Sequence, residues 1–154
     1  MSLKFKTKKI QDRFPLVHPL LQEILQDMSA WLKKKYNRDL TLSESVTTLE
    51  EDKRLKRVST SHQEGRAVDG DVTPEDESPW SKEITNEFVV HFGKKYDKTH
   101  GALSKSGVRK CVVFHNSGHG WHLHIQIGAD VVISMKDKYP LWVKPNITKQ
   151  KDLK

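Results

Sequence analysis

The sequence predicts an α+β domain in which helices pack on one face of an antiparallel β-sheet. Three observations carry that prediction. Apolar residues recur every three or four positions over residues 17–32 and every four from Ile84 to Tyr96, as on helices with one buried face. Residues 39–46 and 121–127 alternate apolar and polar side chains, as half-buried strands do. The link at residues 116–120 is short and holds two glycines, which suits an antiparallel hairpin.

In chain order, residues 1–14 are basic and without clear periodicity, and they read as a loosely ordered lead-in. A single domain is expected over 15–145, followed by a charged tail at 146–154. Val17, Leu20, Leu21, Ile24, Leu25, Met28, Trp31 and Leu32 make one stripe of a helix. Pro19 suits its first turn, where a missing N–H costs nothing. Lys33, Lys34 and Lys35 suit the negative end of its dipole, and Asn37 is its expected stop. Thr48-Leu49-Glu50-Glu51 reads as a capping box opening a short helix to about Arg57. Ser78-Pro79 is the expected start of a second long helix carrying Ile84, Phe88, Phe92 and Tyr96, and residues 97–107 read as loop. Residues 110–114 form a buried strand, residues 121–127 another, and the apolar runs at 131–133 and 139–143 precede the charged end. The order is helix, strand, helix, strand, helix, strand, strand.

At 154 residues the chain is long enough for a hydrophobic core, and 35% hydrophobic with 31% charged residues suits a soluble globular protein. No apolar run nears the ~18–20 residues that span a bilayer, so no membrane insertion is expected. No apolar stretch follows the basic start, so cytoplasmic synthesis without a secretory signal is expected. Work at a cell wall would then need another route of release. The single cysteine, Cys111, rules out an internal disulfide, and its apolar run predicts a buried, inert thiol. The formal charge of +7 suits polyanions, including nucleic acid, an anionic membrane face or the polymers of a bacterial wall. No motif interleaves basic and aromatic residues, so nucleic acid is not the expected partner. Oligomeric state stays open.

Two stretches carry candidate chemistry. In residues 61–71, His62 and Asp69 stand seven residues apart with Gly65 between them, and both are good ligands for a zinc-type ion. In residues 121–127, strand alternation puts His122, His124 and Gln126 on one face and the apolar Trp121, Leu123, Ile125 and Ile127 on the other. Same-face neighbours lie ~6.5–7 Å apart, so one imidazole can bind an ion while the other stands beside it. Three ligands of mixed nitrogen and oxygen type with one open position is the pattern of catalytic zinc, whereas structural sites fill four positions and favour cysteine. His18, His91 and His100 read as structural or surface histidines.

The run Ser61-His62-x-x-Gly65-x-Ala67-x-Asp69 resembles the S-H-x-x-G-x-A-x-D signature of zinc peptidases that cut bacterial cell-wall peptides. These are the D-alanyl-D-alanine carboxypeptidases and the L-alanyl-D-glutamate endopeptidases of phage lysins, related to lysostaphin-type enzymes. The hedgehog signalling domain shares their fold, and its H-x-E-G-R-A-V-D wording is similar to residues 62–69. The resemblance covers roughly residues 40–127. It implies a hedgehog/D-Ala-D-Ala-peptidase-like fold, one Zn2+ held by His62, Asp69 and His124, and metal-assisted hydrolysis of a peptide bond in bacterial peptidoglycan. His122 is then the leading candidate for proton carrier or oxyanion stabiliser, with His119 and His115 behind it. Glu64, Asp71, Gln126 and Thr47 are candidates for support or substrate contact. Two positions depart from the pattern. Thr47 stands where relatives often have an arginine that holds the substrate carboxylate. Trp121, expected to point into the core, stands where many carry an acidic base. The alternative reading is a non-catalytic, zinc-stabilised binding module like the hedgehog domain.

Overall fold

A mixed sheet with helices packed against it forms as the alternation predicts, although more of the chain joins it than expected. The computed structural model describes residues 3–118 and 120–145. Its elements are β1 (Leu3–Phe5), α1 (Lys8–Arg13), α2 (Pro19–Tyr36), β2 (Leu40–Glu44), α3 (Leu49–Arg54), β3 (Ala67–Gly70), α4 (Lys82–His100), β4 (Ala102–Leu103), β5 (Arg109–Lys110), β6 (Val112–Asn116), β7 (Trp121–Gln126) and α5 (Ala129–Ser134). The main sheet runs β1-β2-β3-β7-β6, antiparallel except for β1 against β2, and β4 and β5 form a separate ribbon.

The long helix α2 has the predicted limits. Pro19 occupies its first turn, and Asn37 ends it in the left-handed region at φ 54°, where asparagine is tolerated best after glycine. Its Leu21, Leu25, Met28 and Leu32 are fully buried and share one core with Phe88 and Phe92 of α4 and with Val68, Leu123 and Ile125 of the sheet. Truncating any of these leucines to alanine is expected to cost ~2–5 kcal/mol. The capping box at Thr48 is present, with Thr48 Oγ1 accepting from Glu51 N at 3.1 Å and Glu51 Oε1 accepting from Thr48 N at 2.9 Å.

Four expectations are corrected. The lead-in is not loose over its described part: β1 pairs with β2 in register Leu3↔Leu40, and Ile10 and Arg13 are buried. A three-residue strand and a six-residue helix are too short to show a period. Helix α4 starts at Lys82, capped by Ser81 rather than by Ser78-Pro79, and runs on to His100 through residues expected to be loop. Lys98 and His100 suit its last turn, and the Asp97 carboxylate is used to accept from Cys111 N at 2.6 Å. The short helix α3 ends at Arg54, three residues early, with Lys56 in the left-handed region at φ 57°. Trp121 keeps its strand parity but not its burial. It is 60% exposed at the first position of β7, where its ring meets the half-open Phe114 at 5.1 Å, while Leu123, Ile125 and Ile127 further along are fully buried. Cys111 is buried as expected, and burial first, then Asp97, pushes its thiol up to about 12.

Glu51 also ties α1 to this frame, because the buried Arg13 donates to both of its carboxylate oxygens at 2.6 and 3.2 Å. Burial alone would raise the carboxyl, but the bonds from Arg13, Thr48 and Lys9 bring it down from 4.5 to about 2. A depressed carboxyl stabilises the fold above its unfolded value, and that stability is lost as pH falls from about 4.5 towards about 2. Glu51→Gln is therefore expected to cost roughly 2–3 kcal/mol at neutral pH. The gap in unfolding free energy to the parent should close on acidification through that window; a gap unchanged by acid would mean the carboxylate does not stabilise the fold.

Candidate metal centre

The polar face of the sheet is assembled from β3 and β7, which pair in register Asp69↔His124 and Val68↔Ile125. Alternation then sends Val68 and Ile125 into the helical side and leaves Asp69 and His124 together on the other. His62 arrives from the turn that precedes β3. That turn is closed by Glu64 N to Thr60 O at 3.0 Å, Gly65 N to His62 O at 3.2 Å and Arg66 N to Ser61 O at 3.0 Å.

Three donor atoms converge on one point. His62 Nε2 lies 3.3 Å and His124 Nδ1 3.2 Å from Asp69 Oδ1. The three residues offer ligand atoms within 4.8 Å of one another, so the group could hold a metal ion. For bonds of ~2.0–2.1 Å, a tetrahedron has edges of ~3.3–3.4 Å, close to these separations. The tautomers agree with this use. His62 Nδ1–H donates to Ser45 O at 2.9 Å, which leaves Nε2 with its lone pair towards Asp69. His124 Nε2–H donates to Gln126 Oε1 at 2.9 Å, which turns Nδ1 towards Asp69 Oδ1, and Gln126 is itself held by Lys110 O at 3.1 Å.

The charges are coupled. Burial alone would raise the Asp69 carboxyl, but the His62 charge and bonds from His124 and His62 hold it well below the usual carboxylate range. Burial alone would lower His62, yet the Asp69 charge and hydrogen bond outweigh it and raise the imidazole.

A cavity of about 470 Å³ opens onto these ligands. His122 lines it from the same strand face, with Nε2 3.7 Å from Asp69 Oδ1. Its Nδ1–H donates to Gly120 O at 2.9 Å, so Nε2 is the acceptor end. Directly across the hairpin in register, His115 places its Nε2 3.1 Å from His122 Nε2. Burial first, then repulsion from His124 and His122, lowers the His115 imidazole. No family model, curated protein or solved structure matches this chain.

Of the remaining sequence candidates, one is at the site and the others that are described fall outside it. Gln126 is at the site, as the partner of His124. Glu64 does not line the cavity: its carboxylate is used by Thr60 at 2.9 Å and by Arg66 at 2.8 Å. Asp71 caps the turn after β3, accepting from Thr73 N at 2.8 Å. Thr47 is buried beside the capping box and does not reach the cavity. His119 lies outside the described residues. Sequence reasoning missed the opposite wall, where Arg57 points its guanidinium at Asp69 Oδ2 (3.7 Å), Asp52 (3.3 Å) and Glu44 (4.0 Å). Its only sequence signal was its place at the expected end of α3.

The C-terminal runs, whose role the sequence left open, brace the ligand turn from behind. Tyr139 and Trp142 pack edge-on against the buried ring of His18, at 5.3 and 4.5 Å. His18 N in turn donates to Gly65 O at 2.7 Å. Gly65 has φ +72°, and a Cβ there would lie 2.7 Å from Leu16 O and 3.3 Å from Pro145. Gly65→Ala is expected to destabilise the fold by at least ~1–2 kcal/mol and to weaken zinc affinity, because the clash is with the Leu16 carbonyl and Gly65 closes the turn that carries His62. Parental affinity in a folded Gly65→Ala protein, measured by zinc titration, would contradict that role for the turn.

Proposed function

We propose that the protein is a zinc-dependent hydrolase of an amide bond in bacterial peptidoglycan, acting on stem peptides or cross-bridges in the manner of phage lysins. The observation that carries this reading is the donor set His62 Nε2, Asp69 Oδ1 and His124 Nδ1, with both tautomers fixed from behind and a fourth side open to a cavity. The residues fit zinc in type and spacing: two imidazoles and one carboxylate, with no cysteine. When bound there, the metal supplies a Lewis acid for a carbonyl and for water.

The chain's own groups do the rest. Asp69 stays ionised and balances positive charge in a buried place. Gln126 and the Ser45 carbonyl keep the two ligand rings in the metal-binding tautomer. His122, held by Gly120 O with Nε2 facing the cavity, takes a proton from water and returns it to the leaving amine. Imidazole is suited to both halves of that exchange near neutral pH. The resemblance of residues 61–69 and 122–124 to the cell-wall peptidases supports the substrate class and a hedgehog/D-Ala-D-Ala-peptidase-like fold. The site of action is then the wall, reached after release from the cell.

A second reading, a zinc-stabilised binding module, is favoured by one observation. Among the described residues lining the cavity the only carboxylate is Asp69, so none is left over as a base. Release of soluble muropeptides from purified cell walls by the zinc-loaded protein separates the two. The peptidase reading expects fragments from the parent and none from His124→Ala. Bound zinc with no fragment released leaves the module.

A further inference from the structure

A second cavity lies away from the metal centre. A groove of about 670 Å³ runs between the C-terminal half of α4 and the β4–β5 ribbon. Lys94, Lys98, Arg109 and Lys110 line it, against a single carboxylate, Asp97. That carboxylate is already used, by Cys111 N at 2.6 Å and by Lys110 Nζ at 3.6 Å. Arg109 is balanced by Asp130. Lys94 and Lys98 have no partner among the described residues and are exposed. They stand one turn apart on the same helix face, roughly 5–6 Å between Cβ atoms, where like charges repel and destabilise the helix. The rest of the lining is aliphatic: Leu103 and Val108 are 57% and 50% exposed, so half of each side chain faces solvent.

We propose that this groove binds a polyol-phosphate polymer of the teichoic acid type. Two free ammonium groups beside two largely neutralised cations make a cationic track with, among the described residues, no competing free carboxylate, complementary to a chain of single phosphate charges. Lysine binds phosphate as a point charge and needs no planar fork. The aliphatic floor suits the carbon skeleton of a polyol. Among the described residues no aromatic side chain lines the groove, so they offer no stacking platform for the bases of a single-stranded nucleic acid. The choice of a wall polymer over other phosphodiesters rests on the peptidase reading. The groove would tether the enzyme to the surface that carries its substrate.

The test uses the zinc-loaded full chain, with purified polyglycerol phosphate as probe and a single-stranded oligonucleotide of equal charge as competitor. The parent should bind the polyglycerol phosphate, and Lys94→Gln/Lys98→Gln should weaken binding at least 10-fold and lower the slope of log K against log salt by about 2. The double variant should keep parental zinc content and parental turnover of soluble muropeptide, while binding intact walls more weakly than the parent and walls stripped of teichoic acid as the parent does. Unchanged polymer binding by the double variant overturns the proposal, as does preference for the oligonucleotide. Polymer binding without muropeptide release by the parent would instead remove the peptidase reading and leave the groove assigned.

Discussion

His122→Ala is expected to lower turnover of a cell-wall peptide by roughly 10²–10⁴-fold while zinc content stays at the parental level. The separation follows from geometry. His122 Nε2 stands 3.7 Å from Asp69 Oδ1, against 3.3 and 3.2 Å for the two ligand nitrogens. It is also outside the group whose ligand atoms all lie within 4.8 Å. Its removal leaves His62, Asp69 and His124 with their supporting bonds intact. His115→Ala is the informative companion, since it removes only the ring opposite His122. A His122→Ala protein that hydrolyses peptide at the parental rate would show that the proton moves through another group. Loss of zinc in that variant would make His122 a ligand.

Removing the metal should have the second large effect. A ligand that binds only the folded state stabilises it by ~2.7 kcal/mol at 100 times its Kd. For a domain of this size that corresponds to a fall in Tm of about 5–10 °C on chelation. Asp69→Ala should abolish the difference, because the loss of its carboxylate removes the oxygen on which both imidazoles converge. The effect should also shrink in acid. Zinc must displace the proton from His62, whose value is raised by Asp69 once burial is overcome, so affinity falls as pH drops through that raised value. Thermal unfolding with and without chelator measures both. An equal chelator shift in parent and Asp69→Ala would place the metal elsewhere.

Much of this centre could be read from the chain before any coordinates. The His62–Asp69 spacing and the alternation of His122, His124 and Gln126 depend only on a short turn and a period of two, and both are local properties. Strand pairing then did what local sequence cannot encode: it set Asp69 opposite His124 and His115 opposite His122. Arg57 was missed for the same reason, since its contacts reach Glu44, Asp52 and Asp69 across three segments. The elements β1 and α1 were missed because they are short and held by distant partners, Leu40 and Glu51, rather than by their own periodicity. Trp121 shows the limit of parity as a guide. Alternation gives the face a side chain takes, but burial depends on whether another layer covers that end of the sheet. The C-terminal brace was invisible because its anchor is the ring of His18, far away in sequence.

The most direct test of the metal centre is a zinc titration of the metal-free parent beside His124→Ala, read as ions bound per chain and as affinity. One Zn2+ per parental chain, with binding to His124→Ala weakened by at least ~100-fold, is the expected result. A parent that binds no zinc, or a His124→Ala protein that binds one ion with parental affinity, would contradict it.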